Sequence, residues 1–237
     1  MNDETKLKTQ YTHQAATVFE SRNGDLNHEA NMHFYSILPP LHFGDCYTNW
    51  PRGPKRVLDA GCGEGSDMLY YRSLRANVIG IDSSPEMVSA AKKRGLDVVL
   101  GDFESLPFEE QSFDIILSKY AIQTSQNISL VLSEFGRVLK PGGFLQYITV
   151  HPMRQFIERK KPAQNYFEQT IVDSVLFDGK LTVQEPTHTM NEYLNSHFLK
   201  EFEITYFEEK DHFPASEQIG GQTYPCYLLL QARKRYE

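Results

Sequence analysis

The sequence predicts an α/β protein with a mainly parallel sheet whose two faces are covered by helices. From position 55 onward, short apolar runs alternate with helical stretches. The runs are VLDA at 57–60, VIGID at 78–82, DVVLGD at 97–102, FDIILS at 113–118 and FLQYITV at 144–150. Such alternation is typical of parallel sheets that are buried on both sides. Because 40% of the 237 residues are apolar and no linker rich in Pro, Gly or Ser interrupts the chain, we expect a single domain over residues 1–237.

The helices between these strands have clear boundary signals. Ser84 is a typical N-cap for a helix that begins at Pro85, and Gly95 is a typical stop after it. An apolar stripe at helical spacing follows the fourth strand and predicts another helix. PGG at 141–143 predicts a turn before the fifth strand. These strands and helices together form a predicted core at 55–150.

The segments that flank this core have different patterns. Residues 1–50 contain no strand-like run, and the spacing of Tyr11, Ala15 and Phe19 indicates one face of a helix, so we interpret them as a helical cap. Residues 151–200 interrupt the alternation and are interpreted as an insertion that forms a substrate lid. Within it, Asp178-Gly179 is typical of a hairpin turn. Residues 201–237 carry two further strands, FEITYF at 202–207 and CYLLLQA at 226–232, which makes seven.

Composition and charge exclude several classes of protein. A net charge of −7 and a pI near 5.6 disfavour binding to nucleic acid by phosphate attraction. No apolar run approaches the ~18 residues of a membrane helix, and the polar first residues resemble no signal peptide. We therefore expect a cytoplasmic protein that binds neither nucleic acid nor membrane. The cysteines form no C-x-x-C pair and the histidines no H-E-x-x-H pair, so we expect no metal.

A glycine-rich loop and three aspartates predict a nucleotide-like ligand. The loop VLDAGCGEGSD at 57–67 follows the first strand and opens a helix, where backbone can approach a ligand closely. Asp59, Asp82 and Asp102 end three successive predicted strands, 23 and 20 residues apart. Because the carboxyl ends of parallel strands share one edge, we expect these carboxylates to gather there.

Each acid has a ligand-binding and a structural interpretation. Asp82 can accept hydrogen bonds from both hydroxyls of a ribose, or it can cap the following helix. Asp102 can bind an exocyclic amine while Phe103 packs on a base, or Gly101-Asp102 can be a simple turn.

Two cofactor classes fit a glycine loop with a ribose-binding acid. The dinucleotide fingerprint G-x-G-x-x-G requires a third glycine at the position that Ser66 occupies here. Asp59 also suits a cofactor with a cationic end and would repel a pyrophosphate. A nicotinamide-dependent oxidoreductase, which belongs to another enzyme class, remains an alternative function.

Four segments together resemble the class I S-adenosylmethionine-dependent methyltransferases, the type 11 small-molecule group in particular. They are VLDAGCGEG, IDSSPEM, GDFESLPFEEQSFDIILS and LSEFGRVLKPGGFL, within residues 55–150. The resemblance implies a Rossmann-like, doubly wound sheet of seven strands with an antiparallel last strand. It also implies S-adenosyl-L-methionine as cofactor.

The resemblance assigns the cofactor-binding residues by their place in these segments. The methionine part lies over Asp59, Gly61, Cys62, Gly63 and Gly65; the ribose segment contributes Asp82, Ser83 and Met87; Asp102 and Phe103 face the adenine; Ser118, Lys119 and Tyr120 lie beside the reacting methyl. Many relatives have His where this chain has Gln123, so that position supplies no base. The D/N-P-P-Y/F tetrad of nucleobase and amide methyltransferases is replaced by SKYA at 118–121.

These observations predict methyl transfer to O, N or C of a small metabolite. If the acceptor must lose a proton, His151 directly after the fifth strand is the first candidate base. A structural role, in which His151 hydrogen-bonds its own loop, is an equal alternative. Tyr11 and His13 are further candidates, because the family folds its N-terminal helix over the methyl; Tyr11 can also simply pack. His188 can reach the pocket from the insertion.

The insertion also carries aromatic residues that would line a lid as a group. They are Phe156, Tyr166, Phe167, Phe177 and Tyr193. A non-catalytic, cofactor-binding subunit of a partner remains a second alternative. A methyltransferase for protein or tRNA is disfavoured by the acidic charge and by the missing tetrad. The sequence predicts neither the acceptor nor the oligomeric state.

Overall fold

A sheet of seven strands forms the centre of the protein in the computed structural model, which describes residues 10–11, 29–39, 53–160, 164–176, 181–211 and 223–236. The strands are β1 Arg56–Ala60, β2 Asn77–Asp82, β3 Val98–Leu100, β4 Phe113–Lys119, β5 Leu139–Val150, β6 Ile171–Leu176, β7 Leu181–Pro186, β8 Phe202–Lys210 and β9 Tyr227–Lys234. The helices are α1 Glu29–Ser36, α2 Ser66–Ser73, α3 Pro85–Lys93, α4 Ile128–Val138, α5 Pro152–Arg159, α6 Met190–Tyr193 and α7 Ser196–Glu201.

The order across the sheet is β3-β2-β1-β4-β5-β9-β8. Strands β1 to β5 pair in parallel, whereas β9 runs antiparallel between β5 and β8. The predicted α/β fold with seven strands and an antiparallel last strand is therefore confirmed. The strand order reverses between β1 and β4, and in such sheets the crevice at the carboxyl ends beside the reversal is where ligands bind.

The helices close the two faces of the sheet by burying alternate strand residues. On one face, Leu58 and Ile116 pack in a cluster with Phe135 of α4. On the other face, Leu117 packs in a cluster with Met68 of α2. All five side chains are at most 1% exposed. Because a buried apolar side chain of this size contributes ~1.5–3 kcal/mol, these layers hold the carboxyl edge in place.

Two helices begin at side-chain caps. Ser84 Oγ accepts a hydrogen bond from the Met87 N–H at the start of α3, at 3.2 Å. Asn127 Oδ1 accepts one from the Leu130 N–H at the start of α4, at 3.1 Å. The predicted cap at Ser84 is therefore present.

The fifth strand begins earlier than its apolar run. Leu139 pairs with Phe113 and Phe144 pairs with Ile115, so the residues between Leu139 and Phe144 bulge out of the ladder. Gly142 has φ +74° there, which accounts for the turn-like PGG sequence. The turn lies inside β5 rather than ahead of it.

The insertion contains a separate pair of antiparallel strands. β6 and β7 pair from Ile171↔Pro186 to Leu176↔Leu181. The predicted turn at Asp178-Gly179 lies outside the described residues. The predicted cap is described only at residues 10–11 and 29–39, the second of which contains α1; Ala15 and Phe19 lie outside. No helix in the described ranges has the length and apolar character needed to cross a membrane.

Candidate active site at the carboxyl edge of the sheet

The loop between β1 and α2 has the backbone conformation that its glycines permit. Gly61, Gly63 and Gly65 have φ of +79°, +54° and +85°. A Cβ on Gly61 would lie 2.2 Å from Ala121 Cβ, and one on Gly65 would lie 2.2 Å from Leu96 Cδ1. A Cβ on Gly63 would meet nothing within 4 Å. Gly61 and Gly65 are thus required for packing, whereas Gly63 borders open space.

Asp59 has an unsatisfied carboxylate oxygen beneath this loop. The side chain is 2% exposed, and Oδ2 has no hydrogen-bond partner among the described residues. Burial raises its pKa well above the ordinary value; nearby Asp67 raises it further, and Lys119 opposes the shift. A buried carboxylate without a partner is costly, and a cationic ligand group would offset that cost.

A second polar cluster lies beside Asp59, and of its three residues the sequence motifs assign a place only to Lys119. Lys119, the last residue of β4, donates hydrogen bonds to Asp67 Oδ1 at 2.8 Å and to Tyr35 Oη at 2.9 Å. Tyr35 Oη also donates to Asp67. Burial and the Asp67 carboxylate raise the pKa of Tyr35, which keeps the phenol neutral. The three residues come from α1, α2 and β4, so only the fold brings them together.

Asp82 at the end of β2 is tied to the glycine loop. Its Oδ2 accepts the Gly63 N–H and its Oδ1 the Ser84 N–H, both at 2.9 Å. Burial raises the pKa of Asp82, and these two hydrogen bonds act in the opposite direction. Each carboxylate oxygen accepts about two hydrogen bonds, so capacity remains for two ligand hydroxyls. Ser83, the next residue, is partly exposed.

The third acid, Asp102, lies in a tight turn after β3. Its Oδ1 accepts the Glu104 N–H at 2.8 Å, and Ser105 N–H donates to its carbonyl at 3.1 Å. Phe103 contacts Phe135 edge to face, with ring centroids 6.5 Å apart. Its Cε1 is also 3.7 Å from the position that a Cβ on Gly61 would occupy. The Phe103 ring therefore lies beside the glycine loop.

Ser118 near the end of β4 and Tyr120 directly after that strand have roles within the edge itself. The Ser118 hydroxyl is buried and donates to the Ala60 carbonyl at 2.8 Å, which joins the ends of the two strands. Tyr120 has φ +52°, a left-handed conformation that is strained for a residue with a side chain, and its N–H donates to the Ile148 carbonyl at 2.8 Å. Burial raises the pKa of Tyr120. The Cys62 thiol is buried beside the loop, and burial raises its pKa as well, so it is a poor nucleophile.

His151 caps helix α5. Its Nδ1 accepts the Met153 N–H at 3.0 Å, so the ring proton lies on Nε2, which donates to Glu209 Oε1 at 2.6 Å. Burial lowers the pKa of His151, and Glu209 opposes that shift. Both ring nitrogens have partners in this arrangement. The role of His151 as a base stays a prediction.

Tyr11 lies against the start of α3. Its carbonyl accepts a hydrogen bond from Ser84 Oγ at 2.5 Å, and Tyr11 and Leu181 of β7 both pack against Met87. Burial raises the pKa of Tyr11, and the carboxylates of Glu185 and Asp82 add to that shift. Tyr11 therefore bridges the ribose-side edge and the β7 strand of the insertion. His13 lies outside the described residues.

The neighbouring Gln10 strengthens this bridge. Its Nε2 donates to the Gln184 carbonyl at 2.8 Å, and its Oε1 accepts the Gln184 N–H at 2.6 Å. One side chain thus pairs with both backbone groups of a β7 residue, as a neighbouring strand would.

A buried histidine also connects the insertion to the loop after β4. His188 Nδ1 lies 2.7 Å from Glu192 Oε2, and its Nε2 lies 3.0 Å from the Gln123 carbonyl. Burial raises the pKa of Glu192, but the His188 and Thr189 interactions lower it to a net value below normal. The Gln123 amide donates to the Tyr120 carbonyl at 2.8 Å. The i,i+4 spacing of His188 and Glu192 is a sequence signal for their contact with each other. No local sequence pattern indicates the contact of His188 with the Gln123 carbonyl.

The aromatic residues of the insertion divide into two groups. Tyr166 contacts Phe156 and Phe167 edge to face, at 5.5 and 5.2 Å between centroids. Phe167 is 78% exposed, whereas Tyr193 is fully buried against Tyr147. Phe177 lies outside the described residues. Within the described part of the chain, no group of three or more His, Cys, Asp or Glu residues could hold a metal ion.

The fold is a Rossmann-like α/β sheet with a candidate ligand site at its carboxyl edge, and comparison with known proteins shows what this part of the chain resembles. Residues 58–147 match the family model described as a methyltransferase domain, which confirms the resemblance that the sequence motifs indicate. The match extends from β1 into β5 and includes the glycine loop and the carboxyl ends of β2, β3 and β4.

Curated relatives match the same part of the chain. A phthiotriol/phenolphthiotriol dimycocerosates methyltransferase of Mycobacterium ulcerans is 39% identical over 110 residues, which is 44% of this chain and 41% of that protein. A malonyl-[acyl-carrier protein] O-methyltransferase of Yersinia pestis is 40% identical over 96 residues, 40% of this chain and 36% of that protein. The chain thus matches less than half the length of these relatives.

Solved structures match nearly the whole fold. A putative S-adenosylmethionine-dependent methyltransferase from Listeria monocytogenes superposes with a TM-score of 0.66 at 24% identity, over 86% of this chain and 96% of that one. An S-adenosylmethionine-dependent methyltransferase from Mesorhizobium loti gives 0.67 at 22% identity, over 86% and 97%. At this identity the likeness shows the fold, including the part after residue 150.

Proposed function

We propose that this chain transfers the methyl group of S-adenosyl-L-methionine to a small-molecule acceptor. The observation that carries the proposal is the buried Oδ2 of Asp59 at the end of β1, which has no hydrogen-bond partner among the described residues. The family match over 58–147 and the names of the relatives support the same reaction.

The residues at the edge fit the parts of this cofactor. A ligand ammonium would give Asp59 Oδ2 the hydrogen-bond donor that it lacks among the described residues. Asp82 would accept the two ribose hydroxyls while it holds the Gly63 backbone. Asp102 and Phe103 would bind the adenine, with the ring beside Gly61.

The protein's part in the reaction is to align donor and acceptor. The bound cofactor supplies a methyl group that is already activated by its positive sulfur. Alignment of two reactants in one site can supply ~7–11 kcal/mol of the barrier. Ser118 and Tyr120 would shape the wall beside the methyl, because their hydrogen bonds to Ala60 and Ile148 fix the end of β4.

The insertion would exclude water and select the acceptor. In this proposal 1–237 is one domain, with the cap at 1–50 and the lid at 151–200 meeting over the core at 55–150, and residues 201–237 completing the sheet. The contacts of Gln10 and Tyr11 with β7 and α3 support that arrangement. His151, Tyr11 and His13 are the proposed candidates for proton removal, needed only if the acceptor must lose a proton.

The acceptor that we propose is a small molecule of the lipid or acyl type. The curated relatives are named for dimycocerosates and for malonyl-[acyl-carrier protein], and exposed apolar residues of the insertion, such as Phe167 and Val175, suit such a compound. The net charge of −7 argues against a nucleic-acid acceptor. We also propose a cytoplasmic location, which the free thiols of Cys62 and Cys226 support.

Incubation of the protein with isotope-labelled methyl donor and cell extract, followed by mass spectrometry, tests the proposal. We expect one labelled product, which identifies the acceptor. The Asp82→Ala variant is the matched control and should form at least ~10-fold less product at limiting donor, because charge-assisted hydrogen bonds to the ribose are lost. Tight cofactor binding without a labelled product in any extract would instead favour a non-catalytic subunit.

A further inference from the structure

His188 is a buried histidine whose two ring nitrogens both face hydrogen-bond acceptors. Its Nδ1 lies 2.7 Å from Glu192 Oε2, and its Nε2 lies 3.0 Å from the backbone carbonyl oxygen of Gln123. A carbonyl oxygen has no proton to donate, so Nε2 carries one. An ionised carboxylate also only accepts, so Nδ1 carries one as well. The contacts therefore fit the doubly protonated, cationic form of the ring.

The surroundings of Glu192 place the shared proton on the histidine rather than on the carboxyl group. Glu192 Oε1 accepts the Thr189 N–H at 3.1 Å and the Thr189 hydroxyl at 3.2 Å. Burial raises the pKa of Glu192, but its contacts with His188 and Thr189 bring the net value below normal. Glu192 is thus a carboxylate at neutral pH. It forms an ion pair with the His188 side chain, which is 0% exposed, and a charge at such a depth persists only with a partner of this kind.

Other charged and titratable groups also face this pair. They are Lys160 after α5, Tyr166 in the insertion, Glu185 of β7 and Tyr193 of α6. Burial raises the pKa of both tyrosines, so their phenols are neutral at pH 7. Lys160 and Glu185 carry opposite charges. Among the described residues, Glu192 is the charged group in contact with the His188 ring.

His151 has the opposite arrangement in the same chain. Its Nε2 lies 2.6 Å from Glu209 Oε1, a contact like that between His188 and Glu192. Its Nδ1, however, accepts the Met153 N–H, so that nitrogen carries no proton and the ring is neutral. The two histidines therefore differ in charge, because the second nitrogen faces a backbone N–H in one and a backbone carbonyl in the other.

The carbonyl that His188 binds belongs to the short 3₁₀ turn Ile122–Thr124 after β4. The Gln123 side chain fixes this turn, because its Nε2 donates to the Tyr120 carbonyl at 2.8 Å and its Oε1 accepts the Thr149 hydroxyl at 3.0 Å. Tyr120 has the strained φ of +52°, a conformation that persists only where surrounding contacts impose it. The His188 ring is thus connected through Gln123 to Tyr120.

We propose that His188 is an imidazolium at neutral pH and positions the turn after β4, and with it Tyr120, for methyl transfer. The proposal rests on the proposed function, which places Tyr120 beside the reacting methyl. His188 acts through Gln123 and is therefore a positioning residue. When the ring loses one proton, the charge-assisted bond to Glu192 keeps the other, and the Gln123 carbonyl loses its donor. Methyl transfer should then slow as the pH rises.

Nitrogen NMR of the protein labelled with nitrogen-15 histidine measures the charge directly. An imidazolium has two similar ring-nitrogen shifts, whereas a neutral ring has two widely separated shifts. At about pH 7.5, where a free imidazole is mainly neutral, we expect the imidazolium pattern for His188 and the neutral pattern for His151. The loss of signals in His188→Gln and in His151→Asn assigns the two rings.

Glu192→Gln and Glu201→Gln form a matched pair of variants. Each removes the carboxylate of an i,i+4 His–Glu pair, but in the second pair the atoms are 3.6 Å apart and the His197 side chain is 66% exposed. We expect Glu192→Gln to shift the His188 titration and the alkaline limb of turnover to lower pH by the same interval. Turnover at about pH 7.5 should fall ~10-fold, with KM for the donor within about 2-fold of the wild type, because the displaced wall affects alignment rather than donor binding. Glu201→Gln should change neither.

Two results would overturn the inference. A neutral pattern for His188 in the wild-type protein at about pH 7.5 would do so without any variant. A kinetic limb that stays in place while the His188 titration moves would leave the residue a purely structural role. If Glu192→Gln fails to fold, the wild-type protein decides, because its alkaline limb of turnover has to coincide with the His188 titration. If no acceptor is methylated, the proposed function fails and the positioning role fails with it, while the spectrum still establishes the charge of His188.

Discussion

One carboxylate oxygen of Asp59 is buried and has no hydrogen-bond partner in the part of the chain that the structure describes. Burial is the main cause that raises its pKa in the folded chain. At a pH below the unfolded value of ~3.8, the carboxyl is protonated in both states and costs little. As the pH rises toward the higher folded pKa, the unfolded chain releases its proton first, so the folded state loses stability relative to the unfolded state.

The Asp59→Asn variant should therefore be more stable than the ligand-free wild type at neutral pH. The difference in melting temperature should be small near pH 4, grow as the pH rises through the folded pKa, and then become constant. Thermal unfolding at a series of pH values measures it. Asp97→Asn serves as control, because the Asp97 side chain is exposed before β3 rather than buried. A difference in melting temperature that is independent of pH would mean that ionisation of Asp59 does not destabilise the folded state.

His151 has two possible roles that different substitutions separate. As an N-cap, its Nδ1 accepts the Met153 N–H, and asparagine can replace it in that role. As a base, it cannot be replaced by asparagine. If His151 removes the acceptor proton, His151→Asn should retain stability and cofactor affinity but lower turnover by ~10²-fold or more.

Steady-state kinetics on the acceptor identified by labelling, with calorimetric cofactor binding beside them, test this prediction. His151→Ala provides the comparison, because it removes both the cap and the base. Full turnover in His151→Asn would leave only the capping role.

At the scale of elements, Ser84 connects the start of α3 to the N-terminal segment. Its hydroxyl oxygen accepts the Met87 N–H and its hydrogen is donated to the Tyr11 carbonyl. Ser84→Ala should reduce the free energy of unfolding by about 1 kcal/mol, the usual value of an N-cap. It should also speed hydrogen exchange in β7, because Tyr11 and Leu181 of β7 pack against the same residue, Met87.

Asn127→Ala is the matched control for this prediction. It removes the N-cap of α4, where Asn127 Oδ1 accepts the Leu130 N–H, and should cost a similar amount of stability. Exchange in β7 should remain at the wild-type rate in this variant. The same exchange profile in both variants would show that the N-terminal segment does not couple α3 to the insertion.

Elements were predictable from the sequence wherever one local pattern determines them. The five apolar runs and the Ser84 cap correspond to β1 to β5 and α3, because burial on both faces and backbone capping act over a few neighbouring residues. The bulge after Leu139 differs, since it depends on the register between β4 and β5. The capping role of His151 has a local sequence signal, because Pro152 after it is typical of the first position of a helix.

The candidate site was predictable for residues that lie at strand ends within the matched segment. Asp59, Asp82 and the glycines follow from their spacing. The hydrogen-bond partners of Lys119 could not be predicted from the sequence, because Tyr35 and Asp67 lie 84 and 52 residues away on two helices. The same holds for His188, whose contact with Gln123 spans 65 residues. Such contacts arise only when the whole sheet and its insertion are assembled.

At the scale of the whole molecule, a ligand that binds only the folded state should raise its stability by mass action. S-adenosylhomocysteine at ~100 times its dissociation constant should add ~2.7 kcal/mol, or roughly 5–10 °C in melting temperature for a chain of this length. NADH at the same concentration should add nothing, because Ser66 replaces the third glycine of the dinucleotide loop and Asp59 repels a pyrophosphate. Differential scanning fluorimetry measures both. Stabilisation by NADH but not by S-adenosylhomocysteine would favour the alternative function, a nicotinamide-dependent oxidoreductase. The carboxyl edge would then bind a dinucleotide despite the buried Asp59 carboxylate.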